Sequence, residues 1–416
     1  MIQVVPHKVL AGIVSIPSSK SDGQRALITA ALSHGTSILR NVGQSDDEIA
    51  MLRNIKLIGA SVVEDSDRVL KVTGVNSFPL HLDLNVGESG LGLRLLSGIC
   101  AVQAGRHKLN GVGSILKRDQ SFFERNLTRY GGHVSSNEGK LPLLFEGEIN
   151  ANVIEVDGSE SSQYISGLLM GLALNAFPCN LKVNDLKSGP YVDMTMNTME
   201  QFGVKVENDD YQWFHLNGKN KFQATTYTVE SDWSSASYWL AAAAIGFDVS
   251  LSGLNLKSKQ ADIRFLDALK LAGCTSEVQQ DILSITQRKL VAFQFDATDC
   301  PDLFPALVVL AAKCQGTSII NGVSRLANKE SNRGIVLQKE FGKLGVPIEL
   351  DGDVMRIEGN SQLKGARVSS NEDHRIAMSL AILGTTIEGG IEIESAEAVS
   401  KSYPQFWGHL KALSVR

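Results

Sequence analysis

The chain carries no covalent or metal staple. Its five cysteines, Cys100, Cys179, Cys274, Cys300 and Cys314, are odd in number, scattered and never spaced C-x-x-C, which argues against both a zinc cage and a disulfide framework. The eight histidines show no metal-ligand spacing, so no metal is expected. Free thiols point to a reducing compartment, and a cytoplasmic location is expected. No apolar run reaches the roughly 18 to 20 residues of a membrane helix. The start, Met1 to Pro17, is interrupted by Pro6, His7 and Lys8 and lacks the order of a secretory signal. A membrane is therefore not an expected partner. Positive charge is also scarce. With a net charge of −5, the chain lacks the basic face that nucleic-acid backbones require, so an anionic ligand needs a local cluster of cations. Nucleotide loops are missing too: GESGLG (Gly87 to Gly92) and GVGSILK (Gly111 to Lys117) have neither G-x-x-x-x-G-K-S/T nor G-x-G-x-x-G spacing. No cofactor is expected.

What is present is enough chain for two domains, since 416 residues at 43% hydrophobic can bury two cores. An internal repeat organises it. A Gly-led, β-branched run follows an Ala/Leu-rich helix at Gly35 (GTSILRNV), Gly105 (GRHKLNGV), Gly246 (GFDVSLSGL), Gly316 (GTSIINGV) and Gly390 (GIEIESAEAV), with a sixth copy from Pro178 (PCNLKVNDL). A second marker, a helix closing on glycine before two strand-like runs, falls at Gly59, Gly132, Gly203, Gly273 and Gly345. Both markers share a period of about 70 residues. The expected fold is α/β, with six units that each run polar loop, helix, strand, helix, strand pair. The sixth unit stops early, near Arg416, and residues 2–16 are expected to supply its missing strand. That arrangement gives two lobes of three units, residues 18–229 and residues 1–17 with 230–416, and two chain crossings, near Pro17 and near Glu230.

Each unit opens with a polar loop running into a helix: PSSKSDGQR (Pro17 to Arg25), GESGLGLR (Gly87 to Arg94), DGSESSQY (Asp157 to Tyr164), SDWSSASY (Ser231 to Tyr238), DCPDLFP (Asp299 to Pro305) and NEDHR (Asn371 to Arg375). Ser, Asp and Asn there are ordinary N-caps. The cations are not explained by capping. Lys20 and Arg25 lie in the first loop, Lys117 and Arg118 after the second unit's strand, Lys329 and Arg333 after the fifth's, and Arg375 and Lys401 in the sixth unit. Helix N-termini with added cations make anion sites. Asp373 is expected to cap, with Arg375 functional and His374 structural.

At these loops the chain resembles the enolpyruvyl transferase family over nearly its whole length. PSSKSDGQRALITAAL is similar to the family's opening stretch, and DGSESSQY, KSGPYVDMT (Lys187 to Thr195), VESDWSSASYWLAAAA (Val229 to Ala244), CPDLFP, NKESNR (Asn328 to Arg333) and DHRIAM (Asp373 to Met378) follow in family order. The resemblance implies a two-lobed inside-out α/β barrel with the active site in the cleft between the lobes, and a monomer. It implies transfer of the enolpyruvyl group of phosphoenolpyruvate to the 5-hydroxyl of shikimate-3-phosphate by addition and elimination. Lys20, Gly90, Arg118, Gln163, Arg333, Arg375 and Lys401 would surround phosphoenolpyruvate. Ser21 and Arg25 would hold the shikimate carboxylate, Ser161, Ser162, Gln163 and Ser188 its phosphate side, and Tyr191, Asp302 and Lys329 the ring. Asp302 would take the hydroxyl proton and Glu330 the methylene proton, with Lys20 the third catalytic residue. Such substrates bring on the order of −5 to −6. Seven of these residues are cationic and two acidic, an excess of five positive charges.

Some positions depart from the family's usual pattern. Glu88 stands for Asn and Leu91 for Thr in the second loop, Asp119 follows Arg118 where Pro is common, Ser114 stands where Arg often lies, and Arg325 and Asn332 replace Asn and Asp. A carboxylate at position 88 is expected to point away from an anion or to pair with a cation such as Arg94. Three other readings compete. A UDP-N-acetylglucosamine enolpyruvyl transferase usually has a reactive Cys or Asp on the loop matching Gly111 to Gln120, which has no Cys here. A non-catalytic paralogue, or one with another acceptor, would keep the scaffold and bind anions. An RNA 3'-phosphate cyclase would need a nucleophilic His and a basic face.

Overall fold

The computed structural model describes residues 1–219, 221–287 and 289–415; Arg416, the expected end of the second lobe, lies outside them. The chain divides into two compact units, Ser18–Glu230 and Met1–Pro17 with Ser231–Arg416. Backbone hydrogen bonds mark the division. Ser19 N–H donates to Glu230 O (2.7 Å) within one unit, and Asp232 N–H to Pro17 O (2.8 Å) within the other.

In the Ser18–Glu230 unit, the helices after the opening loops are Lys20–Ala31, Gly90–Val102 and Ser162–Leu172. Every residue of Gly90–Val102 is buried, because a helix apolar on all sides has no solvent face to present. It packs on Ser162–Leu172 through glycines. A Cβ on Gly98 would lie 2.1 Å from the Gly167 carbonyl carbon, and one on Gly167 would lie 2.2 Å from Arg94 O. Three four-stranded sheets cover these helices. In each, two parallel strands flank the buried helix in sequence or register and an antiparallel hairpin completes the sheet, as in His81–Asn85, Arg106–Asn110, Lys140–Glu146 and His133–Asn137.

The other unit repeats the plan around Trp233–Ala244, Phe304–Ala312 and His374–Gly384, all wholly buried. Its sheets have five, four and three strands. The two crossings exchange strands. Val9–Ser15 leads into the Lys20–Ala31 helix yet pairs in parallel with Asp248–Ser252, while Thr226–Thr228 leads into Trp233–Ala244 yet pairs with Thr36–Arg40.

Two expectations need correction, and the α/β fold gains one detail. The sixth unit's missing strand is Ile2–Val5 alone, antiparallel to Ile391–Glu394; Val9–Ser15 belongs to the fourth unit's sheet, where Ser414–Val415 also joins. The barrel is not closed. Among the described residues the strands form six separate open sheets, because outer strands such as Ser61–Ser66 and Thr275–Gln279 are polar and face solvent, which blunts an edge against further pairing. In the second unit the left-handed position after the helix is Gly131 (φ 103°), one residue before the expected Gly132. Among the described residues no helix is long and apolar enough to cross a membrane.

Candidate active site

The Ser18–Glu230 unit gathers its expected residues at helix starts. Ser19, Ser89 and Ser161 cap the three buried helices, accepting from the N–H groups of Asp22, Gly92 and Gln163. Lys20 is the first residue of its helix, and its Nζ lies 3.0 Å from Asp47 Oδ2. Asp47 is placed by the next helix, Asp46–Ile58, whose start is a capping box of Ser45 and Glu48. Glu48 fills space that glycines leave: a Cβ on Gly23 or Gly43 would fall 2.3 or 2.2 Å from its carboxylate. Burial pushes the Glu48 carboxyl up to about 7, against the Ser45 and Gly43 hydrogen bonds and the charge of Lys20.

Arg25 is buried, and its guanidinium is tied to the scaffold at three points. Nε donates to Thr195 Oγ1 (2.8 Å), Nη1 to Ser21 O (2.8 Å) and Nη2 to Tyr191 O (3.0 Å). A guanidinium has five N–H donors, so Arg25 reaches across to the helix Gly189–Gln201 and still keeps donors. Ser188, just before that helix, is buried with φ 58°, and Ser162 is buried at the start of its own. Ser21, Ser161, Gln163 and Tyr191 are half-buried.

Gly90 shows why glycine is needed at the second loop. A Cβ there would lie 2.8 Å from Arg94 Nη1 and 3.1 Å from Arg118 Nη1, so two guanidiniums converge over one helix start. Arg94 also donates to Gln163 Oε1 (2.9 Å) and lies 5.0 Å from the centre of the Tyr164 ring. Its buried Nε–H has no hydrogen-bond partner. The Glu88 carboxylate accepts from Ser114, at 3.1 Å from N and 2.7 Å from Oγ.

In the other unit Arg333 is the hub, 1% exposed. Its Nη1 donates to Asp302 Oδ1 (2.7 Å), its Nε to Asp373 Oδ2 (2.8 Å) and its Nη2 to Glu330. Asp302 also accepts from Lys329 Nζ (3.1 Å) and Arg375 Nη2 (2.9 Å). Burial pushes the Asp302 carboxyl up, but Arg375, Lys329 and Arg333 together outweigh it and hold it well below the usual range. Lys329 is lowered, burial outweighing the charge of Asp302. Arg375 follows the cap Asp373, which accepts from Arg375 N–H at 3.0 Å, and its Nε–H is buried without a hydrogen-bond partner. Lys401 ends the Ala396–Lys401 turn and is buried.

Sequence reasoning missed several of these partners. Arg94 was visible as a cation one helical turn beyond Gly90, an i, i+4 relation. Asp47, and Asp373 as a partner of Arg333, carried no local signal, because their contacts are set by packing between elements far apart in sequence. Asp262 was also missed. It accepts from Ser234 Oγ, and burial, then the charge of Asp302, push its carboxyl up to about 7 against Arg375 and Ser234. These carboxylates reduce the expected excess of positive charge. Each unit instead presents cations already compensated in part, alongside N–H donors still open to an anion.

The sequence profile of the family described as EPSP synthase (3-phosphoshikimate 1-carboxyvinyltransferase) matches residues 4–410. A 3-phosphoshikimate 1-carboxyvinyltransferase of Clostridium acetobutylicum is 36% identical over 411 residues, covering 97% of this chain and 95% of its own. One from Clostridium perfringens is 37% identical over 421 residues, covering 99% and 97%. Among solved structures, EPSP synthase from Acinetobacter baumannii superposes with a TM-score of 0.82 at 25% identity, covering 99% of this chain and 98% of that one. The enolpyruvyl transferase NikO from Streptomyces tendae shares the fold, with a TM-score of 0.77 at 15% identity over 99% and 97% of the two chains.

Proposed function

The chain belongs to the EPSP synthase (3-phosphoshikimate 1-carboxyvinyltransferase) family, and on that premise we propose that it transfers the enolpyruvyl group of phosphoenolpyruvate to the 5-hydroxyl of shikimate-3-phosphate, releasing phosphate. The reaction is an addition followed by an elimination. The methylene carbon of phosphoenolpyruvate takes a proton from Glu330 in its acid form, and the hydroxyl oxygen bonds to the neighbouring cationic carbon while Asp302 accepts the hydroxyl proton. The bond to the phosphate oxygen then breaks, Glu330 takes a methyl proton and the double bond re-forms. Lys20, Gly90 N–H, Arg118, Gln163, Arg333, Arg375 and Lys401 serve the donor; Ser21, Arg25, Ser161, Ser162, Gln163, Ser188, Tyr191 and Lys329 serve the acceptor.

The observation that carries this reading is the Asp302 carboxylate with its three cations, Arg333, Arg375 and Lys329. In the free protein it is ionised but weakly basic. Anionic substrates that draw those cations to their own phosphates and carboxylates remove what holds Asp302 down, so its basicity rises when a hydroxyl is there to be deprotonated. The buried N–H groups of Arg375 and Arg94 supply donors that a planar anion can use. The reading is tested by phosphate release from the purified protein given both substrates, with each omitted in turn. Release requiring both, and lost in Asp302→Ala, supports it; release from phosphoenolpyruvate alone, or none from folded protein, overturns it.

A further inference from the structure

Two positions at which the chain departs from the family's usual sequence, Glu88 and Ser114, are bonded to each other. Glu88 Oε2 accepts from Ser114 Oγ (2.7 Å) and from Ser114 N–H (3.1 Å) at the start of the Gly113–Lys117 turn. A serine hydroxyl has one proton. Given to Glu88, it leaves the Ser114 oxygen to accept, and Arg118 Nη2 donates to it at 3.3 Å. The chain of bonds therefore has one polarity, from guanidinium through hydroxyl to carboxylate. The turn is built around the carboxylate: Gly113 has φ 62°, and a Cβ there would lie 2.3 Å from Glu88 Oε1. The other end of the same guanidinium, Nη1, lies 3.1 Å from the Cβ place of Gly90. One nitrogen is thus held by Ser114 while the other stands over the helix start.

We infer that Glu88, acting through the Ser114 hydroxyl, positions Arg118 for the donor's phosphate, so that the pair sets this chain's affinity for phosphoenolpyruvate. The inference rests on the function proposed above. Both residues act through Arg118, so the effect falls on donor binding and not on the chemical step.

The test measures steady-state phosphate release for wild type, Ser114→Ala, Ser114→Thr, Glu88→Ala and the Ser114→Ala/Glu88→Ala double variant, each checked for folding by circular dichroism. Loss of a hydrogen bond of this kind raises the KM for phosphoenolpyruvate about fivefold to tenfold in Ser114→Ala and in Glu88→Ala. The double variant loses no more than either single one, because the residues act in series, and Ser114→Thr restores the wild-type KM. The KM for shikimate-3-phosphate and kcat stay within about twofold. An unchanged donor KM in Ser114→Ala, additive losses in the double variant, or equal losses for both substrates overturn the inference. Should the folded wild type release no phosphate, the proposed reaction fails on its own account, and calorimetric binding of phosphoenolpyruvate to the same proteins decides this inference. Weaker binding in Ser114→Ala but not Ser114→Thr sustains it; binding indifferent to Ser114, or absent, overturns it.

Discussion

Asp302→Asn is the substitution with most to say about the proposed reaction, because it keeps the shape of a residue while removing the charge that three cations share. Two effects follow with opposite signs. A positioned general base contributes about 10²–10⁴-fold to the rate, so kcat should fall by a factor within that range, about 3–5 kcal/mol in the barrier. Binding should move the other way. On the proposed assignment the donor competes in the wild type with Asp302 for Arg333 and Arg375, which both bond that carboxylate. Asparagine competes far less, since hydrogen bonds to an ionised acceptor are roughly twice as strong as neutral ones.

The apparent KM for phosphoenolpyruvate should therefore drop by about tenfold while kcat falls. Stability supplies a third sign. Arg333 retains Glu330 and Asp373, but Lys329 and Arg375 lose a bonded carboxylate, and an uncompensated buried charge costs about 3–5 kcal/mol. Thermal unfolding should show that loss, and added phosphoenolpyruvate should recover much of it by binding the folded state. Phosphate-release kinetics, calorimetry and unfolding on one preparation read all three. A kcat within tenfold of wild type, or a donor affinity that weakens in Asp302→Asn, refutes the reasoning.

Other perturbations separate scaffold from site. Gly167→Ala places a methyl 2.2 Å from Arg94 O, forcing two buried helices apart; overpacking of this kind costs about 1–3 kcal/mol, to be read as a lower Tm, and an unchanged Tm means the contact is softer than argued. Glu48→Gln should be stabilising in a pH-dependent way. The folded Glu48 carboxyl sits at about 7 against an ordinary 4.5, so its protonated form is favoured in the folded state and the wild type loses stability as pH rises from about 4.5 through 7. The gap between variant and wild type should widen by up to about 3 kcal/mol from pH 5 to pH 8, measured by urea unfolding at both. Arg94→Lys removes the fork that serves Gln163 and stacks on Tyr164, and donor KM should rise about tenfold with a smaller change in kcat; equal activity would remove Arg94 from the site.

Much of the fold was legible because it is repeated. Six copies of one pattern average out the noise of any single segment, and glycines that end helices, such as Gly59 (φ 112°), Gly203 (φ 86°) and Gly345 (φ 90°), mark the period for a stereochemical reason. The strand exchange at the crossings was only half visible. Residues 2–16 read as one extended run, and nothing local says that Ile2–Val5 and Val9–Ser15 enter different sheets. Capping was readable at Ser19, Ser89, Ser161, Asp232 and Asp373, since each sits at the helix boundary its chemistry dictates. The countercharges were not. Asp47 lies in a run, QSDDEI, that looks like any acidic helix start, and only folding sets it against Lys20.

Those countercharges explain how an acidic protein can keep clustered cations buried without destabilising itself. A buried guanidinium without a partner would cost several kcal/mol, and two of them are given carboxylates: Asp302, Glu330 and Asp373 around Arg333, and Asp302 again for Arg375. Compensation of this kind leaves geometry intact while leaving little net field. A ligand with a single charge has small reason to displace it, whereas a phosphate offers three acceptor oxygens and about −1.5 to −2 of charge and can replace a carboxylate bond for bond. The carboxylate so displaced is then freed as a base. Selection for phosphorylated substrates and activation of Asp302 are, on this argument, one exchange of partners. It follows that a carboxylate analogue lacking the phosphate, even one that fits by shape, should bind weakly and leave the acidity of Asp302 unchanged.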